Sequence, residues 1–240
     1  MTEPMNIPAE LRDWSVRWPE YAPVDITPKE LLPQALAREV PVWAEEAATP
    51  AAVTDWPQRQ DYALVRFECD ARSWPLHPAG RTGHTGRNLG RWGENRAVDP
   101  IVIANAGPAQ RLLLVTRDDN HQEAAPGGMV NPDETDEEAL LRELFEETGL
   151  DLRRYRPIIL GRDLVDDHRQ SDHAWVASTS ALFVLPTVVP VTAADDALDA
   201  TWYPADSMTE LETAISAAGR TLFAAHRPLI ARALAHLAQK

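Results

Sequence analysis

The chain has 240 residues, 44% of them hydrophobic, and carries a net charge of −14 from 23 basic and 37 acidic residues. That much apolar residue supports a packed core and excludes disorder throughout, while the charge argues against nucleic acid or an anionic membrane as partner. A single cysteine, Cys69, excludes an internal disulfide and fits a reducing, cytoplasmic setting; no apolar run approaches the ~20 residues of a membrane span, and the N-terminus lacks a signal-peptide pattern.

Residues 1–98 read as a small, turn-rich N-terminal lobe. Residues 1–100 hold 12 of the 20 prolines and six of the eight tryptophans (Trp14, Trp18, Trp43, Trp56, Trp74, Trp92), which suit irregular packing. Tyr62 to Phe67 is a short strand candidate, and Cys69 is expected to be buried. Residues 78–100 read PAGRTGHTGRNLGRWGENRAVDP, with five of the 11 glycines interleaved with Arg81, Arg87, Arg91 and Arg96. Glycines let backbone amides approach an anion, and arginines fork onto phosphate. On the residues alone, a flexible linker and an anion-binding loop both stay open.

From Asp99 the pattern is α/β, and residues 99–240 read as a second domain. Ile101–Ala104, Leu112–Thr116, Ile158–Leu164, Ala174–Leu185 and Thr201–Tyr203 are strand candidates. Helices are expected over 136–148, 207–218 and 221–239. A mixed sheet between helices, an α/β/α sandwich, follows.

The 136–148 helix carries the chemistry. Thr135-Asp136-Glu137-Glu138 fits a capping box, and Gly149 suits a left-handed stop. At 100° per residue Glu143, Glu146 and Glu147 share one side and Leu140, Leu141, Leu144 and Thr148 another. Arg142 reaches Glu146, Glu138 and Glu134. Crowded carboxylates repel unless a cation lies between them, and an all-oxygen set favours Mg2+, with Mn2+ as an alternative. A cation there polarises a phosphoryl group and acidifies water. No pair of the seven histidines has metal-ligand spacing; His168 and His173 are expected to be structural or close to substrate.

Gly128 through Leu150 match the Nudix box, GX5EX7REUXEEXGU, at every fixed position, so the chain resembles a Nudix hydrolase. PAGRTG, LGRWG with Asn95, and Asp99-Pro100-Ile101 resemble one branch of that family. It holds the mitochondrial-type ADP-ribose pyrophosphatases and the ADP-ribose-sensing domain of a melastatin-type channel. The Trp14-to-Tyr21 segment, Pro126–Val130, Val165–Trp175 and Asp195-Asp196-Ala197 with Trp202 extend the likeness over nearly the whole chain. Pro132-Asp133 and the short link before Val165 depart from it.

The resemblance implies the Nudix α/β/α fold and hydrolysis of ADP-ribose to AMP and ribose 5-phosphate with Mg2+. It implies Glu143, Glu147 and the Gly127 carbonyl as metal ligands, with Glu146 a ligand through water or a proton acceptor. Arg142 and Glu134 orient the carboxylates. The general base falls to Asp195, Asp196 or Glu146. Arg81, Arg87, Arg91, Trp92, Asn95, Asp166, Asp172 and Trp175 are candidate substrate contacts, with Trp92, Trp175 and Tyr203 offered to adenine; core packing is the competing role for all three. A monomer is expected. Two rivals remain: a Nudix diphosphatase for NADH or a sugar nucleotide, and a sensor that binds ADP-ribose without cutting it. The intact box favours turnover.

Overall fold

The computed structural model describes residues 5–106 and 109–239. The chain divides into two compact units. One comprises residues 1–96 and 163–177, the other 97–162 and 178–240. The 163–177 segment belongs to the first unit, although it follows residues 97–162 of the second along the chain.

The first unit is built from short elements: β1 (Val24–Asp25), α1 (Pro33–Leu36), α2 (Trp56–Tyr62), β2 (Glu68–Cys69), β3 (Pro75–Leu76) and β4 (His84–Thr85). β1 pairs with β4 in parallel, and β2 with β3 antiparallel. The expected Tyr62–Phe67 strand is absent. Pro57 sits in the first turn of α2, where its fixed φ suits a helix, and Tyr62 closes that helix instead. Phe67 turns inward to meet Trp56 and Trp175 edge-on, forming with Val53 and Trp92 the small core of this unit. Cys69 is half-buried rather than buried.

The remaining strands are β5 (Gly93–Ala106), β6 (Ala109–Arg117), β7 (Glu123–Ala124), β8 (Gly128–Met129), β9 (Ile158–Leu164), β10 (Ala174–Leu185) and β11 (Ala197–Pro204). They form a mixed seven-stranded sheet in the order β11-β6-β5-β10-β9, with β7 on β6 and β8 on β5. The chain passes between units within β5, β9 and β10. In the second unit successive residues of β5 face opposite ways, as the pleat requires. Ile101 and Ile103 enter a core with α4 (Met208–Ala217) and α5 (Arg227–Leu237). Val102 and Ala104 enter another with α3 (Asp136–Thr148). The expected α/β/α layering results.

The last helix begins later than its apolar pattern suggests. Leu222 bridges to Glu123 of β7, so 221–223 runs as extended backbone, and α5 starts only at Arg227, with Pro228 in its first turn. No helix among the described residues is long and apolar enough to cross a membrane.

α3 forms as its ends dictate. Glu138 N–H donates to Thr135 Oγ1 at 3.2 Å, and Thr135 N–H donates to Glu138 Oε2 at 2.9 Å, which closes the capping box. Gly149 closes the other end at φ 69°. Thr135→Ala should therefore cost about 1 kcal/mol of stability, read as a lower denaturant midpoint at unchanged m-value. An unchanged midpoint would mean that the cap contributes nothing.

Candidate active site

Two peptide segments of the second unit converge on the polar side of α3. β8 supplies the glycine turn. At Gly127 a Cβ would overlap the fixed Val98 carbonyl, and at Gly128 one would push the Glu143 carboxylate aside. The Gly127 N–H donates to Glu147 Oε2 at 3.0 Å. The loop before β11 is tied to the end of α3, with Thr192 N–H donating to Thr148 O at 2.9 Å and Ala194 N–H to Glu147 O at 3.2 Å. This brings Asp196 to Glu147.

Arg142 organises the carboxylates. Its Nε and Nη2 fork onto the two oxygens of Glu134 at 2.8 Å each. Its Nη1 donates to Glu143 Oε1 at 2.8 Å and Glu146 Oε2 at 2.9 Å, and Nη2 also reaches Met129 O. Glu138, also expected within its reach, turns back to the helix cap instead. The pairing holds the Glu134 carboxyl below its ordinary range. Glu143 and Glu147 are buried and Glu146 is exposed, so the shared side carries two inward acids and one outward.

Burial drives the titration of the two inward acids. Glu143 is raised by desolvation, against the pull of Arg142. Glu147 is pushed up to about 9, first by desolvation and then by its hydrogen bond to Asp196. Asp195 is exposed and adopts a left-handed φ of 56°; the bond to Glu147 belongs to its neighbour.

Among the described residues no three His, Cys, Asp or Glu side chains stand as a ready metal cage. Arg142 holds Glu143 and Glu146, and Glu147 is hydrogen-bonded to Asp196. The donor set nevertheless fits a hard divalent cation. It offers buried carboxylate oxygens that repel when ionised, beside glycine backbone that no side chain obstructs.

Sequence reasoning missed Arg117. It lies on β6, forks onto Asp119 at 2.9 and 2.8 Å, stands 5.1 Å over the Phe223 ring and feels the charges of Asp196 and Glu147. Only strand register puts it there, and no local motif signals it.

The substrate residues expected from the glycine–arginine loop and its neighbours lie in the first unit, and several hold that unit together. Arg81 is buried; its guanidinium donates to the Leu11, Asp13 and Val16 carbonyls at 2.6–2.8 Å, stacked near Trp14 and Tyr21. Arg87 is 1% exposed and bonds the Gly90 and Glu45 carbonyls. Asn95 ties Arg91 N–H to three carbonyls of the same unit. Asp172 is 1% exposed and accepts from Tyr21 Oη, Thr82 N–H and Thr82 Oγ1 at 2.7–2.9 Å. Trp92 and Trp175 are core, as is Tyr203 in the second unit, so none offers an open ring face to adenine. Arg91 and Asp166 are exposed. Asp166 also lines an open cleft of about 1150 Å3 in the first unit, with Arg12, His77, His84 and Gln170. No carboxylate of α3 lines that cleft; the acidic site is defined by its chemistry rather than by concavity.

An acidic helix behind a glycine turn, with Arg142 bridging its carboxylates, is the arrangement that the resemblance to the Nudix box implies. Residues 94–225 match the NUDIX domain and residues 7–93 the NUDT9-like, N-terminal domain. The chain belongs to the Nudix family and is a Nudix hydrolase. A Caenorhabditis elegans protein, named provisionally as nudix hydrolase 6, is 34% identical over 224 residues, covering 85% of this chain and 84% of that protein. The mitochondrial ADP-ribose pyrophosphatase of Rattus norvegicus is 28% identical over 212 residues, 72% of this chain and 59% of that one. A transient receptor potential cation channel subfamily M member-like 2 of Nematostella vectensis is 32% identical over 208 residues, 71% of this chain and 13% of the channel.

The raised Glu147 gives a pH prediction for metal-free protein. A carboxyl whose folded pKa lies above its unfolded value adds stability that is present at low pH and lost as pH rises through the folded pKa. Melting in EDTA should therefore fall between about pH 5 and pH 9, and Glu147→Gln should flatten that fall. Equal slopes in the two proteins would remove Glu147 as the cause.

Proposed function

We propose that the protein hydrolyses ADP-ribose, with water, to AMP and ribose 5-phosphate in the presence of Mg2+. The observation that carries this reading is an unbroken set of Nudix carboxylates, Glu143, Glu146 and Glu147, in a chain whose residues 7–93 match the NUDT9-like, N-terminal domain. The name of the rat relative supplies the substrate.

Nudix hydrolases generally use divalent metals. Glu143, Glu147 and the Gly127 carbonyl would hold the ion, which when bound supplies Lewis-acid charge to a phosphoryl oxygen and acidifies water. We assign Asp196 as general base, taking the proton of the water that attacks phosphorus. Its hydrogen bond to Glu147 supports it over Asp195, and Glu146 is restrained by Arg142. Arg142 keeps the acids in register, and the missing side chain of Gly128 leaves room beside Glu143. Of the expected substrate contacts we retain Arg91 and Asp166 as direct, both exposed, and assign Arg81, Arg87, Trp92, Asn95, Asp172 and Trp175 to holding the loop in shape.

The test is incubation with ADP-ribose and Mg2+, with EDTA as control and chromatography of the products. Metal-dependent AMP and ribose 5-phosphate are expected. Glu147→Gln should lower kcat by roughly 10²-fold or more while the protein stays folded. Turnover of NADH or a sugar nucleotide in preference would move the specificity. Bound but uncut ADP-ribose would make the protein a sensor.

A further inference from the structure

We propose that His226 is a positioning residue for the catalytic turn: together with Asp99 it latches the Ala125–Gly128 segment in the place from which its backbone meets Glu143 and Glu147. This rests on reading Gly127, Glu143 and Glu147 as the metal-holding set.

Asp99 opens the Asp-Pro-Ile motif on β5, a motif that the chemistry above leaves without a task. Its carboxylate is 8% exposed. Ser178 Oγ, from β10, donates to Asp99 Oδ2 at 2.5 Å. Asp99 Oδ1 faces His226 Nε2 at 3.4 Å. The other ring nitrogen, Nδ1, accepts the Ala125 N–H at 3.0 Å. A nitrogen that accepts from an amide carries no proton, so the hydrogen of a neutral ring sits on Nε2, the nitrogen 3.4 Å from Asp99. Phe223 packs edge-on to the ring at 4.9 Å.

An Asp–His pair beside catalytic carboxylates invites assignment as an acid–base couple. The geometry speaks against it. A general base needs a lone pair facing the reacting proton, and the lone pair of His226 is already engaged by a backbone amide. What the pair does is fix that amide. Two residues later the Gly127 N–H is held by Glu147 Oε2 at 3.0 Å. The residue between is Pro126, whose ring locks φ and removes slack from the link. Gly127 itself has φ 151° and lies against Val98 and Asp99 of β5 so closely that no Cβ fits. His226 on one side and Glu147 on the other thus clamp a stiff three-residue span over the strand. Misplacement of such a shell by about 1 Å is enough to cost rate.

The test is Mn2+ binding by electron paramagnetic resonance titration without substrate, alongside ADP-ribose kinetics. Loss of an outer-shell partner typically costs about 10- to 100-fold in metal affinity. His226→Leu should weaken Mn2+ by that order and lower kcat by a similar factor, with KM changed by less than about twofold. His226→Asn, whose Oδ1 can stand where Nδ1 accepts, should recover most of both. Wild-type Mn2+ affinity in a folded His226→Leu protein would overturn the latch, as would equal losses in the Leu and Asn variants. Should His226→Leu fail to fold, Asp99→Asn takes its place: several-fold weaker Mn2+ is expected, and unchanged affinity overturns the proposal. Because the titration contains no ADP-ribose, a wrong substrate leaves its outcome intact.

Discussion

The second unit depends on keeping two acids, Glu143 and Glu147, out of water on one helix. Isolated buried carboxylates are costly, and two close together more so. The structure answers with three devices. Arg142 neutralises Glu143 while gripping Glu134 and Glu146. Glu147 is hydrogen-bonded to Asp196. The glycine turn then comes close enough for a backbone N–H to meet the same carboxylate. The site is held under electrostatic tension, which a divalent cation between the carboxylates would relieve.

The first unit rests on a different buried charge. Asp172 gathers Tyr21 from the N-terminal segment and Thr82 from the glycine–arginine loop onto the 163–177 segment. Arg81 does the reverse with positive charge, collecting three carbonyls of residues 11–16. Arginines and glycines that resemble a phosphate-binding loop are here largely an internal scaffold. Arginine suits both tasks, because a planar fork with five donors matches several carbonyl oxygens as readily as a phosphate.

Most elements were legible where pattern and end signals agree. α3 runs from Asp136 to Thr148 because Thr135, Glu138 and Gly149 punctuate it, and β9 and β10 follow their apolar runs. Tyr62–Phe67 misled because its short apolar run, with Tyr62, Val65 and Phe67, reads as a strand, while Pro57 and the packing of Phe67 against Trp175 set the outcome. The start of α5 misled because Leu222 gains more by bridging to Glu123 than by extending a helix.

The sequence by itself determined the acidic helix, its caps, the glycine turn before it and the Nudix family, because these depend on local spacing and on ends a few residues apart. Tertiary structure alone decided that Asp196 rather than Asp195 meets Glu147, that Arg117 stands near both, and that Ser178, Asp99, His226 and Ala125 form one chain of contacts. Those partners lie tens of residues apart along the chain, and only strand register and loop tethering bring them together. Tertiary structure also decided which arginines face inward. An arginine reads the same in a sequence whether its fork meets a phosphate or the carbonyls of its own fold.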